Sequence, residues 1–139
     1  FPQMRDMQKV IPAEAIVYGR LPLMITENCL VQNGTGCRLS ERGAAVPQDA
    51  PCRKPNCLQD RTGARFPLLP AYGHRTELQN SAPLWLADKP DWRHCGLRFA
   101  RLRFTTESPA DCAAIFRAYE NGAPAPAAFT RGLYYRGVD

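Results

Sequence analysis

Apolar and polar residues alternate most clearly in "LRFARLRFT", residues 97–105, where only Ala100 disturbs the rhythm. A period of two is typical of a β-strand with one apolar and one polar face. We predict this strand over residues 97–104. Its basic face is formed by Arg98, Arg101 and Arg103. The segment "EAIVY", residues 14–18, is rich in apolar and β-branched side chains and predicts a buried strand.

A β-hairpin is predicted in "CLQDRTGARFPLL", residues 57–69, because Thr62 and Gly63 give a turn signal between two short apolar runs. The two hairpin strands are expected at 56–60 and 64–69. The next segment, "TELQNSAPLWLAD", predicts a strand at 75–79 that leads into a turn or a helix start.

Helix signals are strongest in "SPADCAAIFRAYENG", with Ser108 as N-cap, Pro109 at the first helical position and Gly122 just past the end. We predict a helix over 109–120. A shorter helix is expected at 3–10, ended by Pro12.

The segment 28–55 is rich in Gly, Pro, Asn and cysteine and shows no periodicity, which predicts a long loop. A loop of this length is usually functional or held by a bound group. The tail, 123–139, opens as a Pro and Ala linker and ends in an aromatic, basic stretch. These elements predict an α+β fold, a mixed sheet with a C-terminal helix, in one domain over 1–139.

Composition is that of a globular domain, with 45% hydrophobic and 22% charged residues in 139. No apolar run reaches the roughly 18 to 20 residues that span a bilayer. The N-terminus lacks a basic segment followed by an apolar one, so we expect a cytoplasmic protein without a membrane partner. Because the chain has no initiator Met, we expect it to be a piece of a longer protein.

The net charge of +5 comes almost entirely from arginine, since only Lys9, Lys54 and Lys89 are lysines. Arginine binds phosphate and carboxylate through a planar fork, which indicates a polyanionic partner. A genome rich in arginine codons explains the same composition equally well.

Six cysteines occur in a chain without a secretory signal, which favours metal or redox use over disulfides. Cys95 and Cys112 are expected to be small buried hydrophobic residues. The other four lie in or beside the long loop: Cys29, Cys37, Cys52 and Cys57. Thiolates suit zinc or an iron–sulfur cluster, but no C-x-x-C pair is present, so a set of thiols without metal remains an alternative.

His74, just after the hairpin, is a candidate ligand or general base, with an exposed loop imidazole as the alternative. His94 is expected to be a polar end to a turn. The sequence contains no nucleophile elbow, phosphate-binding Walker loop or HExxH helix.

Five segments, "VYGRLPLMITENC", "LQDRTGARFPL", "RTELQNSAPLWL", "RLRFTTE" and "FTRGLYYRGV", resemble in order and spacing the later part of the collagenase-like peptidase family U-32. This resemblance covers about 15–138. It implies an upstream (β/α) barrel that this region packs on or completes. Family members include peptidases and proteins with a 4Fe-4S cluster that hydroxylate RNA bases or small aromatic precursors.

By motif, the family's first three cysteines correspond to Cys29, Cys37 and Cys52, and its fourth position is occupied here by His74. The implied metal ligands are therefore these four residues, with Cys57 as an alternative fourth. A 4Fe-4S cluster is expected, with zinc as the alternative because three cysteines and one histidine are an ordinary zinc set. An isolated piece of the protein can also lack the metal.

Three functions follow as hypotheses. The first is iron–sulfur-dependent modification of RNA or a small aromatic, in which Tyr134 and Tyr135 stack on bases unless they only pack the tail. Phosphate contacts are then expected from Arg61, Arg75, Arg101 and Arg103. The second is a peptidase acting on collagen-like or other peptides, with Asp60 and Glu77 as the acidic groups near candidate chemistry. The third is a non-catalytic accessory domain that closes the barrel pocket; we expect the isolated piece to be inactive.

Overall fold

A computed structural model describes residues 11–35 and 48–135. It confirms the predicted α+β class with a C-terminal helix, but the strands form two sheets instead of the one mixed sheet expected. The predicted helix at 3–10 and the ligand candidate Cys37 lie outside the described residues. The chain forms two compact units, one comprising Leu21–Ser81 and the other the segments on either side of it. None of the helices described is long and apolar enough to cross a membrane.

The flanking unit is built around strand β1, Glu14–Gly19, whose Ala15, Val17 and Tyr18 are buried. β1 lies between β6, Leu84–Trp85, which is antiparallel to it, and β7, Phe99–Leu102, which is parallel. This mixed sheet confirms the prediction of a buried strand at 14–18.

Strand β7 is shorter than the predicted 97–104. The alternation changes phase at Ala100, and the pairing of β1 with β7 shifts register between Ile16 and Tyr18. Residues 97–104 therefore cannot form one regular ladder of hydrogen bonds with β1. As a result Phe99, placed by the pattern on an apolar face, is largely exposed.

Two helices follow in this unit, the short α2 at Asp91–His94 and α3 at Pro109–Asn121. His94 ends α2 and is exposed, whereas Cys95 follows the helix and is buried, as expected. α3 confirms the predicted helix, because Ser108 caps it and Gly122 ends it in the left-handed conformation with φ 63°.

The other unit is a four-stranded antiparallel sheet in the order β2-β5-β4-β3. The strands are β2, Pro22–Thr26; β3, Asn56–Gln59; β4, Arg65–Ala71; and β5, Arg75–Gln79. The predicted hairpin is confirmed as β3–β4, and its turn is fixed by Asp60, whose carboxylate accepts hydrogen bonds from Thr62 and Ala64. β2 was not predicted because Pro22 reads as an interruption, but a proline is tolerated at the first residue of an edge strand.

The prediction of an unbroken loop over 28–55 is wrong for its described parts. Helix α1 occupies Leu30–Thr35, and a 3₁₀ turn occupies Pro51–Arg53. Both elements are too short to show a helical period, and α1 contains Gly34, which disfavours helix. Tertiary contacts with the sheet therefore decide their conformation.

Candidate metal centre

Two of the predicted ligands meet on one face of the four-stranded sheet, at a small hydrophobic cluster that we call the thiol cluster. Its buried members are Val31, Ala50, Cys52 and Leu68. Cys29 packs against the same cluster and is half-buried. Thus α1 and the 3₁₀ turn, at opposite ends of the cysteine-rich segment, each bring one thiol to the sheet.

Cys29 is held in place by hydrogen bonds around Thr76, a β5 residue that is almost fully buried. The Leu30 amide donates to Thr76 Oγ1 at 3.0 Å, which satisfies a donor at the start of α1. On the other side of Cys29, the Thr26 hydroxyl lies 2.6 Å from the Asn28 carbonyl oxygen and 3.3 Å from that of Thr76. The backbone on both sides of this cysteine is therefore tied to β5.

His74 occupies a strained position at the start of β5. It is the one described residue other than glycine with positive φ, 57°, a conformation that costs free energy for a side chain with a Cβ. Its Nε2 atom is buried, and no hydrogen-bond partner for it is found among the described residues. This nitrogen is therefore not committed to a hydrogen bond with another described residue.

The pairing of β2 with β5 ends at Thr26 and Thr76, before either Cys29 or His74. Beyond the last strand pair, Glu27 and Arg75 form an ion pair with an N–O distance of 3.2 Å.

The alternative ligand Cys57 lies on the opposite face of the sheet from the thiol cluster. Its strand neighbour is Pro67, whereas Asn56 pairs with the cluster member Leu68, and adjacent residues of a strand point to opposite faces. Cys57 Sγ instead accepts a hydrogen bond from Arg65 Nε at 3.2 Å. Of the predicted thiols that the structure describes, it therefore brings together Cys29 and Cys52 but not Cys57.

Within residues 11–35 and 48–135, no group of three or more His, Cys, Asp and Glu side chains is placed to hold a metal ion. Cys37, the remaining predicted ligand, is outside these ranges. The donor types at the thiol cluster fit zinc or iron, and the buried Nε2 of His74 is consistent with a ligand position. The four-residue ligand set therefore stays a prediction.

The predicted phosphate-binding arginines are divided between the two units. Arg61 and Arg75 are exposed in the four-stranded unit. In the other unit, Arg101 donates to Glu14 at 2.7 Å and Arg103 donates to the Arg20 carbonyl at 2.8 Å. Their nucleic-acid role stays a prediction.

Tyr134 and Tyr135 take part in packing of the tail. The Tyr134 hydroxyl donates to the Ile16 carbonyl and the Tyr135 hydroxyl to Asp91, each at 2.9 Å. These contacts support the alternative of ordinary packing over base stacking.

The acidic residues of the peptidase hypothesis have local structural partners. The hydrogen bond from the Thr62 hydroxyl is the main reason that the pKa of the Asp60 carboxyl lies below its usual value. Glu77 accepts a hydrogen bond from Gln79 Nε2 at 2.7 Å. Peptidase activity therefore stays a prediction.

The four-stranded sheet also has an exposed apolar edge. β2 is an edge strand whose Leu23, Met24 and Ile25 are 52%, 53% and 60% exposed. Consecutive large apolar residues alternate between the two faces of a strand, so this edge is apolar on both faces. Such an edge is unusual for a strand in contact only with water.

Comparison with family models, with curated proteins and with solved structures gives no match for this chain.

Proposed function

We propose that this chain is the C-terminal region of a U-32 type protein and that its thiol cluster is part of a metal centre. The observation that carries the proposal is the meeting of Cys29 and Cys52 at one buried cluster, although 22 residues separate them in the sequence. Hydrophobic packing alone does not require cysteine at both positions, whereas two thiolates at one cluster suit zinc or iron.

The proposed ligands are Cys29, Cys37, Cys52 and His74. Thiolates with one imidazole suit an iron–sulfur cluster or zinc, and the buried Nε2 of His74 supports its inclusion. When bound, an iron–sulfur cluster supplies electron transfer. The four proposed ligands would hold it, and the packing of Val31 and its buried neighbours would exclude water from it.

The proposed reaction is modification of RNA or a small aromatic by the full-length protein, with an upstream barrel that this region packs on or completes. Arg61 and Arg75 lie exposed in the same unit as the thiol cluster, Arg75 in an ion pair with Glu27, and an exposed guanidinium suits phosphate. An RNA substrate would therefore be bound with a steep salt dependence.

Anaerobic purification followed by iron, sulfide and zinc analysis tests the metal centre. Iron with an equal amount of sulfide supports the cluster, and zinc without sulfide supports the alternative metal.

RNA binding by the full-length protein, measured between low and physiological salt, tests the substrate class. An RNA affinity that does not change with salt would contradict a phosphate-binding role for the arginines.

A second candidate function is that of an accessory domain packed against the upstream barrel. The exposed apolar edge of β2 favours it, because burial of Leu23 and Ile25 would remove apolar surface from water. In the full-length protein, Ile25→Lys would then weaken the attachment of this region and increase proteolysis at the domain boundary. Tyr72→Lys, at an exposed hairpin tip, is the matched control. Equal proteolysis of both variants and wild type would contradict this candidate.

A further inference from the structure

The side chain of Thr76, a buried residue of β5, bonds outside the strand that carries it. Its Oγ1 atom accepts the Leu30 amide at 3.0 Å, across 46 positions of sequence. The first amides of a helix have no partner within the helix, and α1 is too short to persist in water without help from the rest of the fold. This one hydrogen bond therefore fixes where α1 begins.

The fixed start of α1 also fixes the residue before it. Cys29 is held on its C-terminal side by the Leu30–Thr76 bond and on its N-terminal side by Thr26, whose hydroxyl lies between the Asn28 and Thr76 carbonyl oxygens. The Gln32 amide also donates to the Cys29 carbonyl at 3.2 Å. The backbone of Cys29 thus has little freedom to move away from the thiol cluster.

We propose that Thr76 is a positioning residue that holds the Cys29 thiol at the thiol cluster, through a hydroxyl that no ligand motif of the sequence indicates. Its functional meaning rests on the proposed metal centre, because a ligand held in position before binding loses less conformational freedom when the metal arrives. The positioning itself is a property of the metal-free chain. It can be measured without any metal.

Thr76→Val removes the acceptor with little change of shape, and Thr76→Ser keeps the hydroxyl. In metal-free protein, the rate of Cys29 alkylation by iodoacetamide is followed by peptide mass spectrometry, with Cys57 and Cys112 as references in the same molecules. We expect Thr76→Val to raise the Cys29 rate about tenfold relative to the references, and Thr76→Ser to match wild type. Equal rates in all three proteins, or Thr76→Ser behaving like Thr76→Val, would overturn the proposal.

Zinc affinity separates this proposal from the metal centre itself. If wild type binds zinc, Thr76→Val should weaken binding about tenfold and Thr76→Ser should not. If wild type binds no zinc, the zinc form of the proposed centre fails, while the alkylation rates still decide the role of Thr76.

Hydrogen exchange of wild type covers the case in which Thr76→Val does not fold. The Leu30 amide should exchange much more slowly than an unprotected amide, because Thr76 Oγ1 is its acceptor. Exchange of the Leu30 amide at the rate of an unfolded chain would overturn the proposal.

Discussion

Arg131 and Asp88 form a two-point salt bridge, with Nη1–Oδ1 and Nη2–Oδ2 distances of 2.6 and 2.7 Å. Their side chains are 23% and 25% exposed, so the pair is shielded from much of the solvent. Arg131 also donates to the Trp85 carbonyl and lies 4.6 Å from the ring centroid of Phe129. The beginning of the tail is thereby fixed to β6, where Thr130 and Trp85 are also hydrogen-bonded.

The salt bridge predicts an acid-dependent part of the stability. The guanidinium of Arg131 is the main cause that lowers the pKa of Asp88 below its usual value. A carboxyl whose pKa is lower in the folded state stabilises the fold above its unfolded pKa of about 3.9 and loses that contribution as pH falls through the folded value. Asp88→Asn should therefore cost about 1 kcal/mol at pH 7 and less than that near pH 2.

Urea unfolding monitored by tryptophan fluorescence measures this effect, because both tryptophans, Trp85 and Trp92, lie in the same unit as Asp88. Glu120→Gln, on the exposed surface of α3, is the control. If Asp88→Asn lowers the free energy of unfolding equally at pH 7 and at pH 2, the salt bridge is not the source of the acid-dependent stability.

Tyr119 connects α3 to the sheet through its hydroxyl. The hydroxyl donates to the Val17 carbonyl at 2.6 Å and accepts the Leu86 amide at 2.8 Å, and burial raises its pKa to about 12. Tyr119→Phe keeps the ring but leaves two buried backbone groups without this partner, which should cost about 1–3 kcal/mol. Tyr72→Phe, at a residue that is 89% exposed, should change the free energy of unfolding very little. Equal stability of the two variants would contradict the role of the hydroxyl.

Gly19 is required at the end of β1. Its φ is 124°, and a Cβ at this position would overlap the carbonyl oxygen of Arg103. Gly19→Ala should therefore destabilise the unit by about 2–5 kcal/mol, measured by the same fluorescence assay. Gly34→Ala, where an added Cβ meets nothing within 4 Å, should be neutral or slightly stabilising when unfolding is followed by circular dichroism, because Gly34 lies in the unit without tryptophan. A Gly19→Ala protein as stable as wild type would disprove the close approach of the backbones.

The elements that could be predicted from sequence are those determined by local chemistry. α3 begins with a capping box between Ser108 and Asp111 and ends at a left-handed Gly122, and each signal lies at the helix end that it marks. The β3–β4 hairpin likewise depends on the turn that Asp60 closes with nearby amides.

The elements that could not be predicted depend on distant contacts. β2 consists of apolar residues that remain exposed, so burial does not reveal it, and it is defined by its pairing with β5. α1 depends on Thr76, which is far away in the sequence. The sequence indicates Cys29 and Cys52 as ligands. It gives no sign of the left-handed backbone of His74.

The central claim is that Cys29 belongs to a metal centre, and metal content after anaerobic purification tests it most directly. We predict roughly one cluster or one zinc ion per chain in wild type, loss of most of it in Cys29→Ser, and retention in Cys112→Ser, whose thiol lies in α3 of the other unit. Circular dichroism checks that both variants are folded. Wild type without bound iron or zinc, or Cys29→Ser with as much metal as wild type, would contradict the claim.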